Sequence, residues 1–179
     1  MNHKVYFIAD THFGDQKIMR YENRPFADVA QMDEVIIENW NKEVRVEDEV
    51  FVLGDFSFYE IDKTTEICTK LNGRKTLILG NHDEKDSDYY RVCGFEEVYK
   101  YPVIFEGYWI LSHEPLYVSQ NMPYANIFGH VHQNKTFVDY SEQSFCVCIE
   151  RLDYKPIEFS EIKKRMESIS EKYKPLRDT

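Results

Sequence analysis

Five short apolar runs in this 179-residue chain each stop at a turn made of glycine, serine, aspartate, asparagine or histidine. The runs are Val5 to Ala9, Val50 to Leu53, Thr76 to Leu79, Trp109 to Leu111 and Ala125 to Phe128, and most are rich in β-branched or aromatic residues. Runs of this length closed by turn residues are expected to be buried strands. The turns read Asp10-Thr11-His12, Gly54-Asp55, Gly80-Asn81-His82-Asp83, Ser112-His113 and Gly129-His130-Val131-His132, and they hold five of the six histidines. The pattern calls for a sheet whose C-terminal strand ends bring polar side chains together, the edge at which open α/β sheets bind ligands.

Imidazole nitrogen, carboxylate oxygen and carboxamide oxygen suit divalent Mn, Fe, Zn, Ni or Co better than Ca or a thiolate-bound structural zinc. Gly54, Gly80 and Gly129 each sit beside a presumed ligand, where a missing Cβ allows close approach. The one-residue gap between His130 and His132 would put both rings on one side if the segment were extended. Taken singly, Asp10-His12 and Gly54-Asp55 are ordinary turn chemistry. Their conjunction with the other turns, each behind an apolar run, is what points to a site. His3 is expected to be an exposed bystander.

In this order the turns resemble the motif set of the calcineurin-like metallophosphoesterases, across nearly the whole chain and least diagnostically after about residue 150. Arg24-Pro25-Phe26, Trp40-Asn41 and Gly54-Asp55-Phe56 resemble a compact bacterial or phage-type branch of that family. The resemblance implies an α/β fold of two packed mixed β-sheets flanked by helices, in four α-β-β-α layers. It also implies two divalent transition metal ions, Mn foremost, with Fe, Zn, Ni, Co or Mg as alternatives. Asp10, His12 and His132 would bind the first ion and Asn81, His113 and His130 the second, with Asp55 bridging. That makes eight coordinating positions from seven side chains. His82 would be the catalytic histidine, acting on the phosphoryl or leaving-group oxygen. The implied reaction is in-line attack of a metal-bound hydroxide on a small phosphodiester or phosphomonoester, for instance a nucleotide. One departure matters: Gly54-Asp55 continues as Phe56-Ser57-Phe58-Tyr59, where the protein serine/threonine phosphatases carry Asp-Arg-Gly. A phosphoprotein substrate is therefore disfavoured, and a phosphodiesterase is favoured over a phosphomonoesterase. A non-catalytic metal-binding scaffold is the third reading, set behind the others because no donor and no catalytic histidine is missing.

The 22 Lys and Arg against 32 Asp and Glu leave a net charge of −10, so extended duplex nucleic acid, which is bound through many basic contacts, is not an expected partner. No protein partner is implied. No apolar stretch is long enough for a membrane span, and the first strand begins so near Met1 that no signal peptide is expected; the expected location is cytoplasmic. Residues 1–179 are expected to form a single domain. Cys68, Cys93, Cys146 and Cys148 lack zinc-finger spacing and are expected to be reduced, buried thiols.

Asp28 is expected to cap a helix running to about Val44, with Val29, Met32, Val35, Ile36 and Trp40 on its apolar side. A second helix is expected from about Asp62 to Leu71, closed by Asn72-Gly73. After Gly94, strands at about Glu97 to Phe105, Tyr108 to Leu111, Ala125 to Phe128, Lys135 to Val138 and Phe145 to Leu152 are expected to pair as hairpins. Ser160 is expected to cap a final helix over about Glu161 to Tyr173, with fraying beyond. Arg20 and Arg24 are candidate phosphate contacts. Phe13, Tyr21, Phe26, Phe58, Tyr59, Tyr117 and Tyr124 are candidate nucleobase stackers, and Tyr117, in the Pro115 to Pro123 rim loop, is the first choice among them for substrate contact.

Overall fold

In the computed structural model, which describes residues 3–177 and side chains through residue 169, the apolar runs do form buried strands. The first sheet holds β1 (Val5–Ile8), β2 (Glu49–Val52), β3 (Arg74–Ile78), β4 (Glu97–Tyr99) and β9 (Ile157–Glu158), in the order β4-β3-β2-β1-β9. β1 to β4 run parallel, and β9 closes the edge antiparallel to β1. The second sheet is β5 (Val103–Phe105), β6 (Trp109–Ser112), β7 (Ala125–Phe128) and β8 (Ser144–Cys146).

Period-two alternation divides the first sheet between two cores. Tyr6, Ile8, Val50, Val52 and Leu77 face one way, into a cluster with Met32, Ile36 and Trp40 of the capped helix α2 (Val29–Glu43) and Ile67 of α3 (Ile61–Lys70). Phe7, Ala9, Phe51, Leu53 and Ile78 face the other way and pack on Leu111, Ala125, Ile127 and Phe145 of the second sheet. The two sheets thus share a core, flanked by helices as expected. Asp28 caps α2 by accepting a hydrogen bond from the Gln31 amide at 2.8 Å, and Gly73, at φ 87°, turns the chain after α3.

Several connections differ from expectation. Two short capped helices were not foreseen, α1 (Gln16–Tyr21) behind Asp15 and α4 (Ser87–Cys93) behind Asp86, because one or two turns carry too little periodicity to register. Glu97 to Phe105 is not one strand: the chain leaves the first sheet after Tyr99 and enters the second at Val103. Lys135 to Val138 is a turn, folded back by Arg151, which donates to the carbonyls of His132, Asn134 and Phe137. The Phe145 to Leu152 run ends as a strand at Cys146 and finishes as a 3₁₀ helix, Ile149–Leu152. The final helix, α5 (Phe159–Arg177), begins one residue before Ser160, and the expected fraying lies outside the residues whose side chains are described.

The most consequential correction concerns strand direction. Among the described residues only β5 and β6 form a hairpin; β6, β7 and β8 are parallel neighbours. An antiparallel β6–β7 pair would send His113 and His130 to opposite ends of the sheet. Parallel register sets Ser112 beside Phe128, and the Gly129 amide donates to the His113 carbonyl at 2.9 Å. A parallel bridge between Ala9 and Cys148 then ties the end of β1 to the end of the second sheet. All five ligand turns consequently meet along one line.

Candidate metal centre

The five turns bring together every residue expected to hold an ion. Ligand atoms of Asp10, His12 and His132 lie within 4.8 Å of one another, as do those of Asp10, Asp55 and His113. The Asn81 side-chain oxygen is 2.8 Å from His113 Nε2 and 2.9 Å from His130 Nδ1. Asp55 Oδ2 stands between the two sets, 3.5 Å from His12 Nε2 and 3.4 Å from His113 Nε2. Asp10, His12, Asp55 and His113 form a buried floor, while Asn81, His82 and His130 are exposed, so the centre opens on one side.

The donor atoms fit cations. Asp10 Oδ1 and His12 Nε2 are buried without a hydrogen-bond partner, a costly arrangement unless a positive ion faces them, while His12 Nδ1 lies 3.5 Å from Asp15 Oδ2. Burial alone would raise the Asp55 carboxyl, but hydrogen bonding to His113 and the charges of His113 and His12 hold it at about 2. Burial likewise works against charge on His113, yet Asp55 and Asp10 raise its pKa to about 9; for His132, Glu150 and Asp10 overcome burial to give about 8. The carboxylates thus draw protons onto imidazoles, the positive charge that a divalent ion would replace.

The local backbone is arranged for crowding. Asp10, His12, Asp55, His130 and His132 all have φ between 44° and 68°, a left-handed conformation that costs about 1–3 kcal/mol in non-glycine residues and clusters at functional sites. A Cβ added to Gly80 would overlap Asp55 Oδ1 and lie 2.7 Å from the Asp55 nitrogen, and one on Gly129 would lie 2.7 Å from Asp10 Oδ2. Gly80→Ala should therefore lower stability by about 1–3 kcal/mol and weaken metal uptake together, measured by thermal melts and metal titration. An alanine variant with wild-type melting and uptake would show that Gly80 is not needed for this approach.

Two positioning residues carried no advance signal or only a faint one. Asp83, next to His82, is buried; its Oδ2 accepts from the amides of Asp55 and Gly80, both at 2.8 Å, and its Oδ1 accepts from the Phe56 amide at 3.1 Å. It clamps two ligand turns together. Glu150, outside every motif, accepts from His132 Nδ1 at 3.0 Å.

The candidate substrate contacts separate clearly. The phosphate contact expected of Arg24 is not supported, because its side chain is buried, 4% exposed overall, and its N–H groups are spent on Glu150, the carbonyls of Asp10 and Thr11, and the Met32 sulfur. Arg20 is exposed in the last turn of α1. Tyr117 is 94% exposed and lines a cavity of about 470 Å³ with Ser141 and Gln143, residues outside the ligand cluster. Phe13 is core, Phe26 packs on Tyr154, and the Tyr59 hydroxyl donates to Asp33. Among the described residues, Phe58 is the candidate aromatic whose ring packs on histidines of the centre: it stacks on His12 at 5.4 Å and tilts against His82 at 5.6 Å, and it remains 46% exposed.

Two facing sheets with Asp, Asn and His donors gathered at their strand ends define a metallophosphoesterase centre. The profile of the calcineurin-like phosphoesterases matches residues 3–173, and the chain belongs to that family. It is 36% identical over 172 residues to an uncharacterized protein of Methanocaldococcus jannaschii, covering 92% of each chain. It is also 33% identical over 82 residues to the Gene 66 protein of Mycobacterium phage L5, covering 44% of this chain and 39% of that one. Among solved structures, a protein of unknown function from Aquifex aeolicus aligns with a TM-score of 0.71 at 31% identity, covering 91% of this chain and 99% of the other. The nuclease MPE of Pseudomonas putida shares the fold, with a TM-score of 0.51 at 22% identity over 72% of this chain and 61% of its own. Family and donor set together make this a metal-dependent phosphoesterase that uses divalent ions.

Proposed function

We propose that the chain is a dinuclear phosphodiesterase for small phosphodiesters, nucleotides included, with manganese as the preferred ion. The observation that carries the dinuclear reading is the position of Asp55 Oδ2, facing a histidine of each ligand set at nearly equal distance. Asp10, His12 and His132 would hold one ion and Asn81, His113 and His130 the other. Such ions would polarise phosphoryl oxygens, orient the ester and acidify water.

The remaining chemistry belongs to side chains. His82 is held over the centre by its own amide, which donates to Asp55 Oδ1 at 2.9 Å, while its ring stays exposed. From there it delivers a proton to the departing oxygen. Phe58 offers an open face next to His82, where a planar leaving group or nucleobase can lie. Phe58→Ala should raise KM for nucleotide or aryl esters by about 5- to 150-fold, the equivalent of about 1–3 kcal/mol of stacking, and spare small alkyl diesters. Equal losses on both substrate types would remove Phe58 from substrate recognition.

With Phe56-Ser57-Phe58-Tyr59 after Asp55 in place of a phosphatase-type arginine, the site favours diesters. The decisive experiment strips the metals, restores Mn, Fe, Zn, Ni, Co or Mg singly, and compares model monoesters, diesters and cyclic nucleotides. Highest turnover is expected for a diester with Mn. Faster monoester turnover under every metal would overturn the diester reading, and full metal uptake with no turnover on any ester would make the chain a scaffold. Among the described residues no helix is long and apolar enough to cross a membrane. The four cysteines are free and buried, which suits the reducing cytoplasm proposed as its location.

A further inference from the structure

We infer that Arg24 and Glu150, 126 residues apart in sequence, act as a buried strap that positions the three ligands belonging to the first ion alone, Asp10, His12 and His132, and leaves the second set to other supports. The inference rests on the dinuclear assignment above. Both side chains are fully buried and joined at 2.6 Å. Arg24 Nη2 donates to the Asp10 carbonyl at 2.6 Å and Nη1 to the Thr11 carbonyl at 2.9 Å. Those carbonyls flank Thr11, between two residues with left-handed backbone, Asp10 at φ 61° and His12 at φ 50°. Such a turn persists only where its surroundings over-determine it, and the guanidinium grips it from both peptide planes.

The other end of the strap is Glu150. Its Oε1 accepts from Arg24 Nε at 3.0 Å and from His132 Nδ1 at 3.0 Å. A proton held on Nδ1 leaves Nε2 as the free donor, and Nε2 faces Asp10 Oδ1 at 3.7 Å. Carboxylates placed this way fix the tautomer and orientation of a metal-binding histidine. The second set is held differently: His113 Nδ1 donates to the Leu53 carbonyl at 2.8 Å, and Asp83 fastens the Gly80 turn that carries Asn81. An arginine is required because a planar fork of five N–H donors serves two carbonyls and a carboxylate at once, whereas the three donors of a lysine ammonium radiate from one point.

The test is Mn²⁺ titration of the metal-stripped full chain by calorimetry, on wild type, Arg24→Ala, Arg24→Lys, Glu150→Ala and Glu150→Gln, with melts in chelator to confirm folding. Arg24→Ala and Glu150→Ala should weaken one of two binding steps by about 10- to 100-fold and leave the other within about twofold. Arg24→Lys should recover only part of the loss. Glu150→Gln, which keeps an acceptor for His132 Nδ1, should lose less than Glu150→Ala. Repeating the titration in an Asn81→Ala background should show the weakened step to be the one that survives there. If the alanine variants do not melt cooperatively, Arg24→Lys and Glu150→Gln decide the matter by the same selective weakening. Equal weakening of both steps, or unchanged binding, would overturn the strap. A wild-type chain that binds two ions but turns over no ester would overturn the proposed function alone and leave the titration meaningful.

Discussion

Asp55→Asn should remove metal binding and catalysis together. Asp55 is 1% exposed, and its carboxylate faces His12 and His113 while accepting the His82 amide. An amide keeps the shape but discards the charge shared by the two ligand sets. Breaking a buried charged pairing costs about 3–5 kcal/mol, so kcat/KM should fall by at least about 10²- to 10³-fold. The loss should also appear without substrate. An ion present at about 100 times its Kd stabilises the folded chain by about 2.7 kcal/mol, which for a chain of this size raises Tm by about 5–11 °C. That metal-dependent rise should appear in wild type and vanish in Asp55→Asn, read by thermal melts with and without Mn²⁺ beside metal analysis. A variant that keeps both ions and the full rise would show that Asp55 does not join the two sets.

His82→Gln should behave in the opposite way, keeping both ions and losing turnover. Glutamine cannot donate a proton near neutral pH, and a positioned general acid contributes about 10²- to 10⁴-fold. The His82 ring lies outside both ligand sets, so metal stoichiometry and the metal-dependent rise in Tm should match wild type. The deficit should depend on the leaving group. An alkoxide needs a proton as it departs and should show the whole loss, whereas a nitrophenolate needs little help and should show much less. A uniform loss across leaving groups would move His82 from proton delivery to substrate positioning, and unchanged turnover would remove it from the mechanism.

The elements legible in the sequence were those with local causes. Strands β1, β2, β3, β6 and β7 announced themselves as apolar runs before turn residues, and α2 announced itself by Asp28 and the spacing of Met32, Ile36 and Trp40. Gly80 and Gly129 were legible as places of close approach, and both prove to leave no space for a Cβ. Strand direction was not legible, because parallel and antiparallel partners present the same apolar alternation to a core; β6, β7 and β8 were expected as hairpins and pair in parallel. Arg24 was legible as a residue that matters, but its role was not. Nothing within its own segment shows that Glu150 and the Asp10-Thr11 carbonyls will enclose it.

Donor chemistry belongs to individual side chains, so the order of Asp, His, Asn and Gly along the chain was enough to determine a metal-binding phosphoesterase family and the residues expected to hold its ions. Which donors face one another, which of seven candidate aromatics reaches the centre, and whether an arginine meets substrate or braces a turn depend on contacts between distant segments. Burial and hydrogen-bond satisfaction are properties of the packed chain, so the tertiary structure alone decided that Phe58 lies beside His82 and that Arg24 faces inward.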